Sequence, residues 1–138
     1  MPRPKTRTQS CDRTAALSRL SQADAFLLAA ELVVDDYTGD STPSVAASLA
    51  VLAGIAAADA ACCARLGVRA RGQAHAEAVK LLATVEPGGS DMAKDLRRLL
   101  NRKDESQYGL TLVSSADAGR MISWSKRLLH LARKAVEA

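Results

Sequence analysis

The stretch Val45-Ala46-Ala47-Ser48-Leu49-Ala50-Val51-Leu52-Ala53-Gly54-Ile55-Ala56-Ala57-Ala58-Asp59-Ala60-Ala61-Cys62-Cys63-Ala64 decides the fold. Its length approaches the roughly 20 residues that span a bilayer. Alanine supplies most of it, however, and Ser48, Gly54 and Asp59 interrupt it. An unpaired aspartate in lipid costs at least about 3 kcal/mol, so the stretch reads as no membrane span. A helix apolar nearly all round is the buried centre of a soluble bundle. The small residues Ala46, Ala50, Gly54, Ala57 and Ala61 let neighbouring helices approach closely.

The other residues agree with that reading. The 138-residue chain holds 27 alanines and 18 leucines but only four aromatics, Phe26, Tyr37, Tyr108 and Trp124. Ala and Leu lose little freedom in a helix, whereas strands want β-branched and aromatic side chains. The expectation is an all-α single domain, and a β-sandwich or barrel is excluded. A chain of this size buries roughly two thirds of its unfolded surface and needs no metal or disulfide staple.

Working outward, Leu17, Leu20, Leu27, Leu28 and Leu32 recur at helical spacing and predict a helix from Thr14 to about Val34. Asp35 to Asp40 end it. Ser41 or Thr42, with Pro43 in the first turn, starts the central helix, which stops near Gly67. A basic connection, Gly67 to His75, leads into a third helix with Ala78, Leu81, Leu82 and Val85 inward, terminated by Pro87-Gly88-Gly89. Ser90 and Asp91 are the expected caps of a fourth helix reaching Lys103. Ser114 or Ser115 starts a fifth, whose inward stripe includes Met121, Ser125, Leu128 and Leu129. Short connections predict an antiparallel bundle of about five helices over residues 14–138.

Residues 1–13 read as a basic, disordered arm without the apolar run of a secretory signal. Cys11, Cys62 and Cys63 lack metal-ligand spacing and read as three reduced thiols of a cytoplasmic protein.

Charge is unevenly placed. Residues 1–64 hold five Lys/Arg against seven Asp/Glu, and residues 65–138 hold fourteen against eight. The outward sides of the last two helices carry Lys94, Arg97, Arg98, Arg102 and Lys103, then Arg120, Lys126, Arg127, His130, Arg133 and Lys134. Such faces either bind a polyanion through its phosphates or simply keep the helices soluble. The chain has no phosphate loop, no His-x-x-x-His pair and no carboxylate cluster, so no metal and no cofactor is expected. Asp59, mid-way along an apolar helix, requires a partner, for which the nearby arginines and His75 are available. His130 reads as a surface residue.

Over most of residues 45–135 the chain resembles the HEPN domains, small helical bundles found beside nucleotidyltransferases and in prokaryotic defence systems, toxin-antitoxin pairs among them. The resemblance lies in the alanine-rich helix Ala46 to Ala61, the Arg-x₅-His spacing from Arg69 to His75, the segment Leu99-Leu100-Asn101-Arg102-Lys103 before Tyr108-Gly109, and a serine-started final helix. It implies a metal-independent endoribonuclease in which Arg and His of two subunits meet across a homodimer interface. The 2′-hydroxyl of RNA attacks the adjacent phosphate, His transfers a proton, and Arg stabilises the charge growing on phosphorus. His75 and Arg69 would be the catalytic pair, with Arg71 the competing arginine. Asp59, Arg102 and Tyr108 would line or support the site.

Active members commonly carry a polar residue after the motif arginine, where this chain has Ala70 after Arg69 and Gly72 after Arg71. The alternative is therefore a non-cleaving HEPN-like module that holds RNA, a nucleotide or a partner protein such as a nucleotidyltransferase.

Overall fold

The computed structural model describes residues 8–35, 39, 42–71, 75–103 and 112–138. Among them are two short strands, β1 (Thr8–Ser10) and β2 (Val68–Ala70), and five helices: α1 (Arg13–Asp35), α2 (Thr42–Leu66), α3 (His75–Ala83), α4 (Gly89–Asn101) and α5 (Ser115–Glu137). The all-α bundle is as expected.

The alanine-rich α2 is the centre. Ala46, Ala47, Ala50, Ala53, Ala56, Ala57, Ala60 and Ala61 are fully buried, and α1, α4 and α5 all pack on it. Close approach is literal at Gly54, where an added Cβ would lie 2.5 Å from the Leu99 methyl of α4. The helix is long and apolar enough to cross a membrane, but most of its surface is covered by the rest of the protein.

Direction follows from the end contacts. Cys11 at the start of α1 meets Cys63 near the end of α2, so these two helices are antiparallel. The Val113 amide donates to Ser44 Oγ at 3.0 Å, and Arg65 reaches the Ala138 carbonyl at 3.1 Å; hence α2 and α5 run the same way. The α4 helix returns against α5, with Asp95 opposite Arg127 and Arg102 opposite Asp117.

Helix ends follow local chemistry. Asp12 Oδ1 accepts from the Ala15 amide at 2.8 Å, and Ser114 Oγ accepts from the Asp117 amide at 3.1 Å; each satisfies an amide that the first turn leaves open. The expected caps of α4, Ser90 and Asp91, are corrected. The helix begins at Gly89, with Gly88 as its cap at φ 86, a left-handed conformation that glycine adopts without a Cβ clash. At Gly89 an added Cβ would stand 2.6 Å from the Leu82 carbonyl oxygen, so the backbone of α3 itself requires glycine there.

Two further expectations are overturned. The arm is ordered from Thr8 onward, because β1 pairs antiparallel with β2, Gln9 opposite Arg69. Cys11 and Cys63 are joined in a disulfide and only Cys62 is a free thiol. Spacing along the chain could not reveal a pairing 52 residues apart that depends on α1 doubling back along α2. In the chain-entropy picture a loop of that length is worth about 4 kcal/mol.

Candidate functional site

A cleft of about 260 Å³ opens where α1, α2, α3, α4 and β2 meet. Asp59 stands in its wall, buried at 8% exposure. Its Oδ2 accepts from Arg19 Nε at 3.0 Å and from Arg69 at 3.1 Å. One guanidinium comes from α1 and the other from β2, so three segments of the fold are tied at one oxygen. Arg69 also donates to Gln9 Oε1 of β1 at 3.2 Å.

His75, the first residue of α3, lines the same cleft together with Arg71 and Lys103. The floor is apolar, from Ile55, Ala58, Ala78, Leu96 and Leu100. Around the Asp59 carboxylate the described lining residues thus include four cations, Arg19, Arg69, Arg71 and Lys103, and one imidazole. Desolvation by an apolar floor strengthens the attraction of such a cluster for an anion.

Of the residues singled out from sequence, Asp59, Arg69, Arg71 and His75 come together here. Arg102 does not: it donates to Asp117 of α5 at 2.9 Å. Tyr108 lies outside the described residues. Three lining residues escaped the sequence reading. Gln9 sits in the arm expected to be disordered, and Lys103 was assigned to an outward basic face. Arg19 sits among the polar residues of α1, and its only signal would have been the buried carboxylate's need for a second cation.

The basic faces of α4 and α5 are neutralised in part from within. Arg127 grips the fully buried Asp95 with two nitrogens, Nε at 2.7 Å, and this hydrogen bonding raises the arginine's pKa. Arg98 adds a longer contact to Asp95 at 3.4 Å and lies 5.9 Å from the Trp124 ring centroid. Hydrogen bonds from Arg102, then Arg120, hold the Asp117 carboxyl below its usual range. Arg133 pairs with Asp24 of α1. Five of the arginines that made these faces basic are therefore engaged with carboxylates, Arg102, Arg127 and Arg133 across helices and Arg98 and Arg120 within one, while His130 is exposed as expected.

Cys62, next to the disulfide, is inert. Burial, with a smaller contribution from the negative charge of Asp59, pushes its thiol up to about 12, so the nucleophilic thiolate is scarce at neutral pH. Among the described residues no group of three His, Cys, Asp or Glu side chains is placed to hold a metal ion. No protein family matches the chain, and no curated protein matches it.

Proposed function

We propose that the cleft binds an RNA phosphodiester and that His75 transfers a proton during its cleavage. The observation that supports this reading is the gathering of four cations and an imidazole around the Asp59 carboxylate in about 260 Å³. In the proposed reaction the ribose 2′-oxygen attacks the adjacent phosphorus as its proton departs. The 5′-oxygen then leaves with a proton, giving a 2′,3′-cyclic phosphate and a 5′-hydroxyl. Imidazole is suited to such transfers because its ordinary pKa lies near neutrality. Arg69 and Arg71 are the phosphate ligands, and their fixed forks suit the equatorial oxygens on which charge accumulates. Asp59 holds Arg69 at the cleft wall and competes with phosphate for its guanidinium. With the HEPN resemblance, the proposal is a homodimeric, metal-independent endoribonuclease.

The test is labelled RNA incubated in EDTA with the wild type and with His75→Ala. Cleavage by the wild type to cyclic-phosphate ends, reduced about 100-fold or more in the variant, is the expected result. No cleavage by either protein, or equal cleavage by both, overturns it.

A second reading, binding without cleavage, is favoured by one specific contact. Asp59 already engages Arg69 at 3.1 Å, so phosphate must compete for that guanidinium. The occupant would then be RNA, a nucleotide or a nucleotidyltransferase partner. A salt titration of RNA affinity decides whether phosphate neutralisation drives the association; an affinity independent of salt removes the polyanion from both readings.

A further inference from the structure

We propose that the Cys11–Cys63 disulfide is a reducible latch that holds β1 across the edge of the cleft, and that a dithiol reductant opens it. Its effect on RNA rests on the function proposed above; the latch itself does not.

Among the described residues, the strand β1 is three residues long and pairs only with β2, itself three residues long. A two-stranded ribbon of that size is marginal in water. Three ties supplement the ladder: the Cys11 amide donates to the Gly67 carbonyl at 2.9 Å, Arg69 donates to Gln9, and the disulfide begins one residue past the strand. Only the last is covalent. Gln9, Arg19 and Arg69 line both the cleft and a broader outer groove of about 750 Å³. Both cysteines line that outer groove as well, so a thiol can approach the disulfide from solvent. Cys11 is half-buried whereas Cys63 is 3% exposed, which makes the Cys11 sulfur the one presented for attack.

A thiolate of the reductant attacks Cys11 Sγ. The S–S bond breaks, its electron pair goes to Cys63 Sγ, and that sulfur takes a proton. The reductant's second thiol, losing its own proton, attacks the reductant sulfur of the mixed disulfide and expels Cys11 Sγ, which is protonated in turn. Two electrons and two protons have then passed from the dithiol to the protein, and the reductant has become a disulfide. Cys62 does not compete in this exchange because burial keeps its thiol protonated. With the covalent tie gone, β1 detaches, Gln9 leaves Arg69, and the cleft opens into the outer groove.

The full chain is compared before and after treatment with dithiothreitol, and with a Cys11→Ser/Cys63→Ser variant kept without reductant. Thiol titration of unfolded protein should rise from one thiol to three. Amide hydrogen exchange in β1 and β2 should accelerate at least about tenfold, with the protection of α4 and α5 unchanged. The double variant should match the reduced protein, and a fluorescent single-stranded RNA should bind it about threefold tighter or better than the oxidised form.

Three thiols in the untreated protein overturn the latch. So does unchanged exchange in β1 and β2 after reduction, or loss of protection throughout α4 and α5, which would make the disulfide a general staple. Equal RNA affinity in both states overturns the control of the cleft. Faster exchange in β1 and β2 with RNA bound in neither state supports the latch and removes the RNA reading.

Discussion

Asp59 and Asp95 are both buried carboxylates, and each is met by two arginines, yet their surroundings differ. Asp95 is fully buried in α4, and its principal partner, Arg127, comes from α5, one of the helices packed against α4. Asp59 in α2 is held by arginines from α1 and β2 and faces a cleft that also receives His75, Arg71 and Lys103. The first arrangement closes a seam between two helices. The second gathers several basic side chains around a space that a ligand can enter. A buried ion pair by itself is weak evidence of function; the further basic side chains and the imidazole lining the same cleft distinguish the Asp59 site.

The comparison breaks most readily at Asp95. Removing one partner of a buried pair costs about 3–5 kcal/mol when the other charge stays buried, but Arg127 and Arg98 are about half exposed and can rehydrate. For Asp95→Ala we therefore expect a loss of about 2 kcal/mol in urea unfolding, with RNA affinity unchanged. A drop in RNA affinity with stability intact would reverse the roles assigned to the two carboxylates.

Asp59→Asn should do the opposite. Its amide oxygen still accepts one hydrogen bond, so the expected stability loss is about 1 kcal/mol. Removing the negative charge should tighten RNA binding several-fold, read by fluorescence anisotropy, because Arg19 and Arg69 are released to phosphate. Weaker binding would show that Asp59 is needed to place Arg69 rather than to compete for it.

The two arginines on Asp95 separate by geometry. Arg127→Ala leaves the fully buried Asp95 with only the longer Arg98 contact and should cost about 3 kcal/mol. Arg98→Ala loses a 3.4 Å contact on an exposed side chain and should cost about 0.5 kcal/mol. Equal losses in denaturant titrations would contradict the ranking.

The smallest effect concerns pH. The Asp117 carboxyl is lowered in the folded chain, so the folded state binds its proton less readily than the unfolded state. Its stabilisation is complete above the ordinary carboxylate range and is lost as pH falls through the lowered folded-state value. An Asp117→Asn variant should flatten that acid limb slightly in thermal melts. An unchanged limb would mean that water screens the exposed contacts with Arg102 and Arg120 fully.

Sequence by itself determined the helical class and the buried place of α2, because alanine and leucine at helical spacing leave few other ways to remove apolar surface from water. It also marked Asp59, since a carboxylate on such a helix demands a partner, whereas Arg69 and His75 were marked through the resemblance of their spacing to the HEPN pattern. Asp95 went unremarked because polar neighbours on an amphipathic helix disguise a buried carboxylate. Tertiary structure alone decided the rest. The doubling back of α1 along α2 delivers Arg19 to Asp59 and Cys11 to Cys63, the strand pairing brings in Gln9, and the return of α4 against α5 pairs Arg102 with Asp117 and Arg127 with Asp95. Each of these contacts joins residues far apart in the chain, and local periodicity carries no information about which distant segments will meet.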